Sequence, residues 1–284
     1  MVYLSHFEFP HIEQEYSFIM GLKRTCYDTV YPFQILSKHQ LRMIDFEPVT
    51  ILYGGNGSGK TTALNVIAEK LNLLRDTLYN RSNFFEDYTR LCSYKTECMV
   101  PKHSRIITSD DVFDFMINLR MLNEGINHKR EDLFDEYLDA KYNKFQMKSL
   151  DDYEQLKKVN AARSKTQSKY VRENLMSNVR EHSNGESAFL YFSERIQENG
   201  LYLLDEPENS LSPEKQQELL RFLEDSARFF GCQFVIATHS PFLLSMRGAK
   251  IYDMDEEIVD IKHWTNLKNV RSYYEFFKKH ENEF

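Results

Sequence analysis

The run Gly54-Gly55-Asn56-Gly57-Ser58-Gly59-Lys60-Thr61-Thr62 has the residue types and spacing of a phosphate-binding loop. An apolar stretch, Val49-Thr50-Ile51-Leu52-Tyr53, precedes it, and Ala63-Leu64-Asn65-Val66-Ile67-Ala68 follows, in the order strand, turn, helix. Glycines lack Cβ, so the backbone can wrap closely and aim successive N–H groups at phosphate oxygens. A helix opening near Lys60 adds the positive end of its dipole. The spacing directs Lys60 to the β- and γ-phosphates and the Thr61 hydroxyl to Mg²⁺.

A second set of residues suits the same chemistry. Gly200-Leu201-Tyr202-Leu203-Leu204-Asp205-Glu206-Pro207 is a short apolar strand ending in two carboxylates. Asp205 is suited to Mg²⁺, partly through water, and Glu206 to polarising a water for attack on the γ-phosphate. A further buried-strand pattern, Gln233-Phe234-Val235-Ile236-Ala237-Thr238, delivers His239, whose neutral imidazole can both donate and accept a hydrogen bond. Ser183-Asn184-Gly185-Glu186-Ser187 opens a helical pattern and offers an anion-binding hydroxyl and backbone N–H. Taken alone, those five residues read first as a capping box, Ser with a Glu three residues on. Alone, an acidic pair is more often a turn and a histidine more often a loop residue; their order behind the phosphate-binding loop gives them weight.

That order, GGNGSGKTT, SNGES, LYLLDEPE, ATHS, resembles the ABC-type ATPases, with Walker A, signature, Walker B and switch histidine in turn. The similarity spans about residues 40 to 255 and is greatest to stand-alone bacterial ATPases of the SMC- and RecF-like, non-transporter kind. It implies an α/β P-loop NTPase of ABC-ATPase type, with a mostly parallel sheet flanked by helices and a helical insertion lobe. It also implies ATP and Mg²⁺ as ligands and a head-to-tail homodimer, open to higher assembly. ATP on Gly54 through Thr62 of one copy would be closed over by Ser183, Gly185 and Glu186 of the other. Glu206 would be the catalytic base, Lys60 and His239 would act on the γ-phosphate, and Thr61 and Asp205 would hold the metal. Conformational regulation of an unidentified protein partner or effector, in DNA repair or anti-phage defence, is the expected output.

Three departures from the family pattern stand out. Asn184 replaces a signature glycine, at little cost because Asn tolerates positive φ. Ser212 stands where the D-loop has Asp, and Ser212-Pro213 makes a good N-cap and first helical position. No Q-loop glutamine is evident in 105–113, where Ser109 or Asp110 is the candidate substitute. Tyr27, Tyr31 and Phe33 are the candidate adenine-stacking residues. Two alternatives stay open: the nucleotide-binding subunit of a transporter, and an ATP-binding scaffold with negligible turnover.

The chain of 284 residues is long enough for a substantial core and reads as one domain, because motifs that must meet lie at both ends. Residues 1–75 and 183–284 are the expected nucleotide-binding core, with about 76–182 as a mostly helical insertion, charged and poor in Gly and Pro. A net charge of −7 argues against generalised nucleic-acid binding. Locally, however, Lys157, Lys158, Arg163, Lys165, Lys169, Arg172 and Arg180 face a single acid, Glu173, between Lys157 and Arg180. DNA or RNA could dock there, as could an acidic protein. Met1 to Pro10 lacks the apolar core of a secretory signal, and no run approaches a membrane span. Cys26, Cys92, Cys98 and Cys232 lack metal-ligand spacing. A cytoplasmic protein without a membrane partner is expected.

Overall fold

The computed structural model describes residues 1–23, 27, 29–142, 153–177, 184–209 and 211–284. Two compact units divide the chain: Met1–Phe113 with Asn184–Phe284, and Asp114–Ser183.

The first unit is built on five parallel strands and one antiparallel edge strand. The apolar runs form β3 (Val49–Tyr53), β6 (Leu201–Asp205) and β7 (Gln233–Thr238), every residue of which is buried. Strands covered on both faces read as continuous apolar segments, which is why the sequence reveals them. With β5 (Arg105–Thr108), β8 (Lys250–Asp253) and β9 (Asp260–Ile261) they make a sheet of order β5-β6-β7-β3-β8-β9. All pairings are parallel except β8 with β9. A separate antiparallel sheet has the order β2-β1-β4, from β1 (Leu4–Glu8), β2 (Met43–Asp45) and β4 (Ser93–Thr96).

The helix after the phosphate-binding loop, α2 (Lys60–Lys70), buries Lys60 and every residue from Thr62 to Ala68. Its Leu64 and Ile67 share one core with Leu4 and Phe7 of the small sheet and with Leu52, Leu203 and Val235 of the large one. A helix packed on more than one side has no polar face to show, which explains its near-continuous burial. The leucine spacing predicts a helix reaching Leu74, but α2 stops at Lys70: Asn72 takes φ 51° and Leu74 bridges to Arg105 of β5 instead. The remaining helices of this unit are α1 (Ile12–Gly21), α3 (Phe85–Leu91), α7 (Asn184–Arg195), α8 (Pro213–Phe229), the single turn α9 (Pro241–Leu244) and α10 (Lys268–Lys279). Ser212 caps α8, accepting from Lys215 N, with Pro213 at its first position. The stretch from residue 76, expected to be mostly helical, is mixed: α3 is followed by β4 and β5 before the long helix α4 (Ser109–Tyr142) begins.

Gln233 joins the two sheets. Its fully buried Oε1 accepts from Tyr3 N at 2.7 Å and Leu4 N at 2.9 Å, while Nε2 donates to Leu4 O at 2.8 Å. Gln233→Leu keeps the volume but strands buried backbone groups, each costing about 1–3 kcal/mol. We expect it to destabilise the protein by about 3–5 kcal/mol in denaturant unfolding. A loss under about 1 kcal/mol would show that these backbone groups find other partners.

The second unit contains the rest of α4 with α5 (Tyr153–Ser164) and α6 (Gln167–Asn174), packed around Leu133, Tyr137, Ala162, Tyr170 and Val171. The basic segment lies here. Lys157 pairs with Glu154 at 2.8 Å, Lys158 with Glu136 at 2.6 Å, and Lys165 with Glu173. Acids outside the segment thus meet part of the charge that looked unopposed in sequence, whereas Arg180 lies outside the described residues. Among the described residues no helix is long and apolar enough to cross a membrane.

Candidate active site

Register brings the motif residues to one edge. Tyr53, the last residue of β3, pairs with Thr238 of β7 and Asp253 of β8, while Asp205 pairs with Ala237 and Thr108. The segments leaving β3, β6 and β7 therefore emerge side by side at the carboxyl edge of the sheet, where open α/β folds place their ligands.

Two glycines of the loop answer steric demands. Gly59 caps α2 at φ 92°, and a Cβ there would stand 3.0 Å from Leu36 Cδ2. A Cβ on Gly54 would meet Ser58 Oγ at 2.5 Å. Ser58 Oγ is itself buried without a hydrogen-bond partner, as suits a group awaiting a phosphate oxygen. Asp255, 200 residues away in sequence, supports the loop by accepting from Gly55 N at 2.7 Å.

Lys60 is buried, and its Nζ donates to Gly54 O at 2.6 Å and Gly55 O at 2.9 Å, 4.0 Å from Glu206 Oε1. Thr61 Oγ1 donates to Asp205 Oδ1 at 3.1 Å. Burial pushes the Asp205 carboxyl up to about 6, against the Thr61 hydrogen bond, which lowers it. This hard-oxygen pair fits Mg²⁺, which takes few protein ligands and completes its shell with phosphate and water.

Glu206 adopts φ 47°, a left-handed conformation that costs a residue with Cβ about 1–3 kcal/mol. Its N–H still continues the ladder to Ala237 O at 2.9 Å, and Asn209 Nδ2 holds its Oε2 at 3.1 Å. The turn places its carboxylate 3.7 Å from His239 Nδ1. Glu208 Oε1 stands 3.6 Å from the same nitrogen. Two cavities open on the loop. One, about 290 Å³, is lined by Ile35, Asn56, Gly57, Gly59, Lys60, Thr61, Thr62 and Glu206. The other, about 550 Å³, adds His239, Asp255 and Lys268 to Gly54, Gly55, Asn56 and Glu206.

The structure thus gathers Lys60, Thr61, Asp205, Glu206 and His239. Gly185 and Glu186 open α7, and neither cavity is lined by a residue of that helix. Ser183 lies outside the described residues, as does Cys26. Of the three aromatic candidates, Phe33 is buried and stacked on Phe18 at 4.6 Å, which removes it from base stacking. Tyr31 sends its hydroxyl to within 3.3 Å of Thr62 Oγ1, and Tyr27 packs edge-on against Phe84. In the Q-loop region Asp111 is a buried polar side chain, next to the candidates Ser109 and Asp110; its Oδ2 accepts from Thr108 N and Oγ1.

The family described as "AAA domain, putative AbiEii toxin, Type IV TA system" matches residues 94–245, more than half of the chain. The chain belongs to this family. The phosphate-binding loop between β3 and α2 and the parallel sheet order give this AAA-domain protein a P-loop NTPase fold. Among solved structures it is similar to the SMC head domain of Pyrococcus furiosus, which has an extended coiled coil and is bound to the C-terminal domain of ScpA. The two share 13% identity over 99% of this chain and 100% of that one, with a TM-score of 0.45. The SMC head domain from Thermotoga maritima shares 13% over 92% and 98% (TM-score 0.39). The ATP-binding cassette MJ0796, as a post-hydrolysis dimer bound to ADP and Pi, shares 13% over 79% and 90% (TM-score 0.35). No curated protein matches the chain.

Sequence reasoning assigned no role to Glu208, Asn209 or Asp255. Glu208 and Asp255 act through partners 30 and 200 residues away, which a sequence pattern cannot show, whereas Asn209 holds the nearby Glu206. The nearest signal was the second glutamate of Asp205-Glu206-Pro207-Glu208, a third acid at the end of a buried strand.

Proposed function

We propose that this protein hydrolyses ATP at composite sites of a head-to-tail homodimer and uses the opening and closing of that dimer to regulate a protein partner in the cytoplasm. The observation that carries the reading is that Lys60 and His239 each stand within 4.0 Å of Glu206, beside the Thr61–Asp205 pair. The resemblance of the SNGES run to the ABC-type signature supports a second copy as the source of Ser183, Gly185 and Glu186. Residues 1–284 would form one ATPase domain with the helical lobe as an insertion.

In this account the N–H groups of Gly54–Thr62 cradle the phosphates and Lys60 neutralises the β- and γ-oxygens. Thr61 and Asp205 would hold Mg²⁺, which offsets charge on the phosphates when bound. Glu206 orients a water and takes its proton as the oxygen attacks the γ-phosphorus and the bond to the β-phosphate oxygen breaks. His239 donates a hydrogen bond to the γ-phosphate, and product release weakens the closed dimer. The family description, which names a toxin of a type IV TA system, supports defence as the setting over DNA repair.

Hydrolysis measured against protein concentration, with mass in solution, tests this reading. The rate per subunit should rise with concentration as dimers form, and a flat rate from a monomer would contradict it. Adding double-stranded DNA decides the lobe's role: stimulation supports a nucleic-acid partner, and indifference assigns the Lys157–Arg180 segment to protein.

A further inference from the structure

We infer that Glu208 is a positioning residue for His239, and that Gln216 ties the loop carrying this histidine to the turn that follows β6. The inference rests on the reading that the site hydrolyses ATP.

The Glu208 side chain is almost fully buried, and its Oε1 accepts three hydrogen bonds from three successive residues. Thr238 Oγ1 donates at 2.6 Å, His239 N at 3.0 Å and Ser240 N at 3.1 Å. Three donors converging on one oxygen fix the peptide planes on both sides of His239. The imidazole is held beside Glu206 through its own backbone. Glu208 itself is poorly placed to activate water, because Oε1 is taken by three donors and Oε2, which has no hydrogen-bond partner among the described residues, is buried away from solvent. Glu206, by contrast, faces the cavities with a quarter of its side chain exposed.

A second link closes a ring. Ser240 Oγ donates to Gln216 Oε1 at 2.7 Å, and Gln216 Nε2 donates to Leu211 O at 3.1 Å. Leu211 O can only accept, so the amide orientation is set by the network. Leu211 N in turn donates to Glu208 O at 3.0 Å, and Asn209 N to Glu206 O at 3.1 Å. The turn segments carrying Glu206, Glu208 and Leu211 and the loop at 238–240 therefore move as one piece. A partner copy pressing on the turn, where Ser212 replaces the usual D-loop acid, would shift the imidazole with it. Coupling that the family places on an aspartate is carried here by Glu208 and Gln216.

The test compares wild type with E208A, E208Q and Q216A, reading ATP affinity, KM, and kcat per ATP-binding subunit. E208A should lower kcat at least about 10-fold with KM and ATP affinity within about 3-fold, since misplaced catalytic groups cost rate more than binding. E208Q keeps an acceptor at the same place and should recover most of the rate. Q216A, at a half-buried position, should bind ATP normally and lose about 3- to 10-fold in kcat. A purely structural role would reduce the fraction of ATP-binding subunits and leave kcat per such subunit unchanged. E208Q as slow as E208A would overturn the inference, because charge and not the three bonds would then matter. If E208A does not fold, E208Q and Q216A decide: near-wild-type kcat in Q216A overturns the coupling. A wild type that binds ATP without turnover would defeat the hydrolase reading and this inference together; turnover shared unchanged by E208A would defeat the inference alone.

Discussion

Lys60→Ala is expected to weaken ATP binding by at least about 10²-fold and to abolish nucleotide-dependent dimerisation. The ammonium is buried at the centre of the loop, donating to Gly54 O and Gly55 O, 4.0 Å from Glu206. Handing those donors to phosphate exchanges neutral carbonyl partners for doubly charged ones, and hydrogen bonds to charged groups are worth about 1.5–3 kcal/mol each. Two such contacts amount to about 3 kcal/mol or more, and every 1.4 kcal/mol is tenfold in affinity. Calorimetry gives the dissociation constant directly. A variant that binds ATP within threefold of wild type would mean that the nucleotide does not sit on this loop.

Glu206→Gln should separate binding from chemistry. Gln is isosteric and can still accept from Asn209 Nδ2, so the turn at φ 47° is preserved. What is lost is the carboxylate that takes the proton from water, a contribution of about 10²–10⁴-fold in rate. ATP should therefore bind and persist, trapping the closed dimer. Light scattering in ATP-Mg²⁺ should show twice the monomer mass, and a single-turnover assay should show the slow step. Removing a negative charge 4.0 Å from Lys60 and 3.7 Å from His239 also favours the anionic phosphate, so affinity should rise or hold. A variant that turns over at the wild-type rate would assign the base elsewhere.

The parts legible in the sequence were those where local pattern and tertiary role coincide. Residues 49–53, 201–205 and 233–238 are apolar because both faces are covered, and they end beside the candidate site residues, so strand and site appear together. The cap at Ser212-Pro213 was legible for the same reason: capping is local. The small sheet was not. Leu4–Glu8 and Ser93–Thr96 are short and half polar, and they pair across about 90 residues without a turn signal between them. Four-residue β5 was hidden in what resembled a loop, because an edge strand next to β6 needs little apolar length. Asp255 and Glu208 are ordinary acids in sequence. Their roles come from Gly55, 200 residues away, and from Thr238, 30 residues away. Polar groups acquire function here through long-range hydrogen bonds, for which single-sequence periodicity has no signal.

Mixing two inactive variants tests the composite site most directly. Lys60→Ala breaks the phosphate-binding loop, and Gly185→Glu puts bulk and negative charge at the opening of α7. Each protein alone should hydrolyse no ATP, since every site in either homodimer lacks one half. A mixed dimer would pair the intact loop of the Gly185→Glu copy with the intact α7 of the Lys60→Ala copy, restoring one complete site. Hydrolysis that appears only on mixing, and grows with concentration, is the predicted result. A mixture as silent as its components, or a Gly185→Glu protein already as active as wild type, would contradict a site shared between two copies.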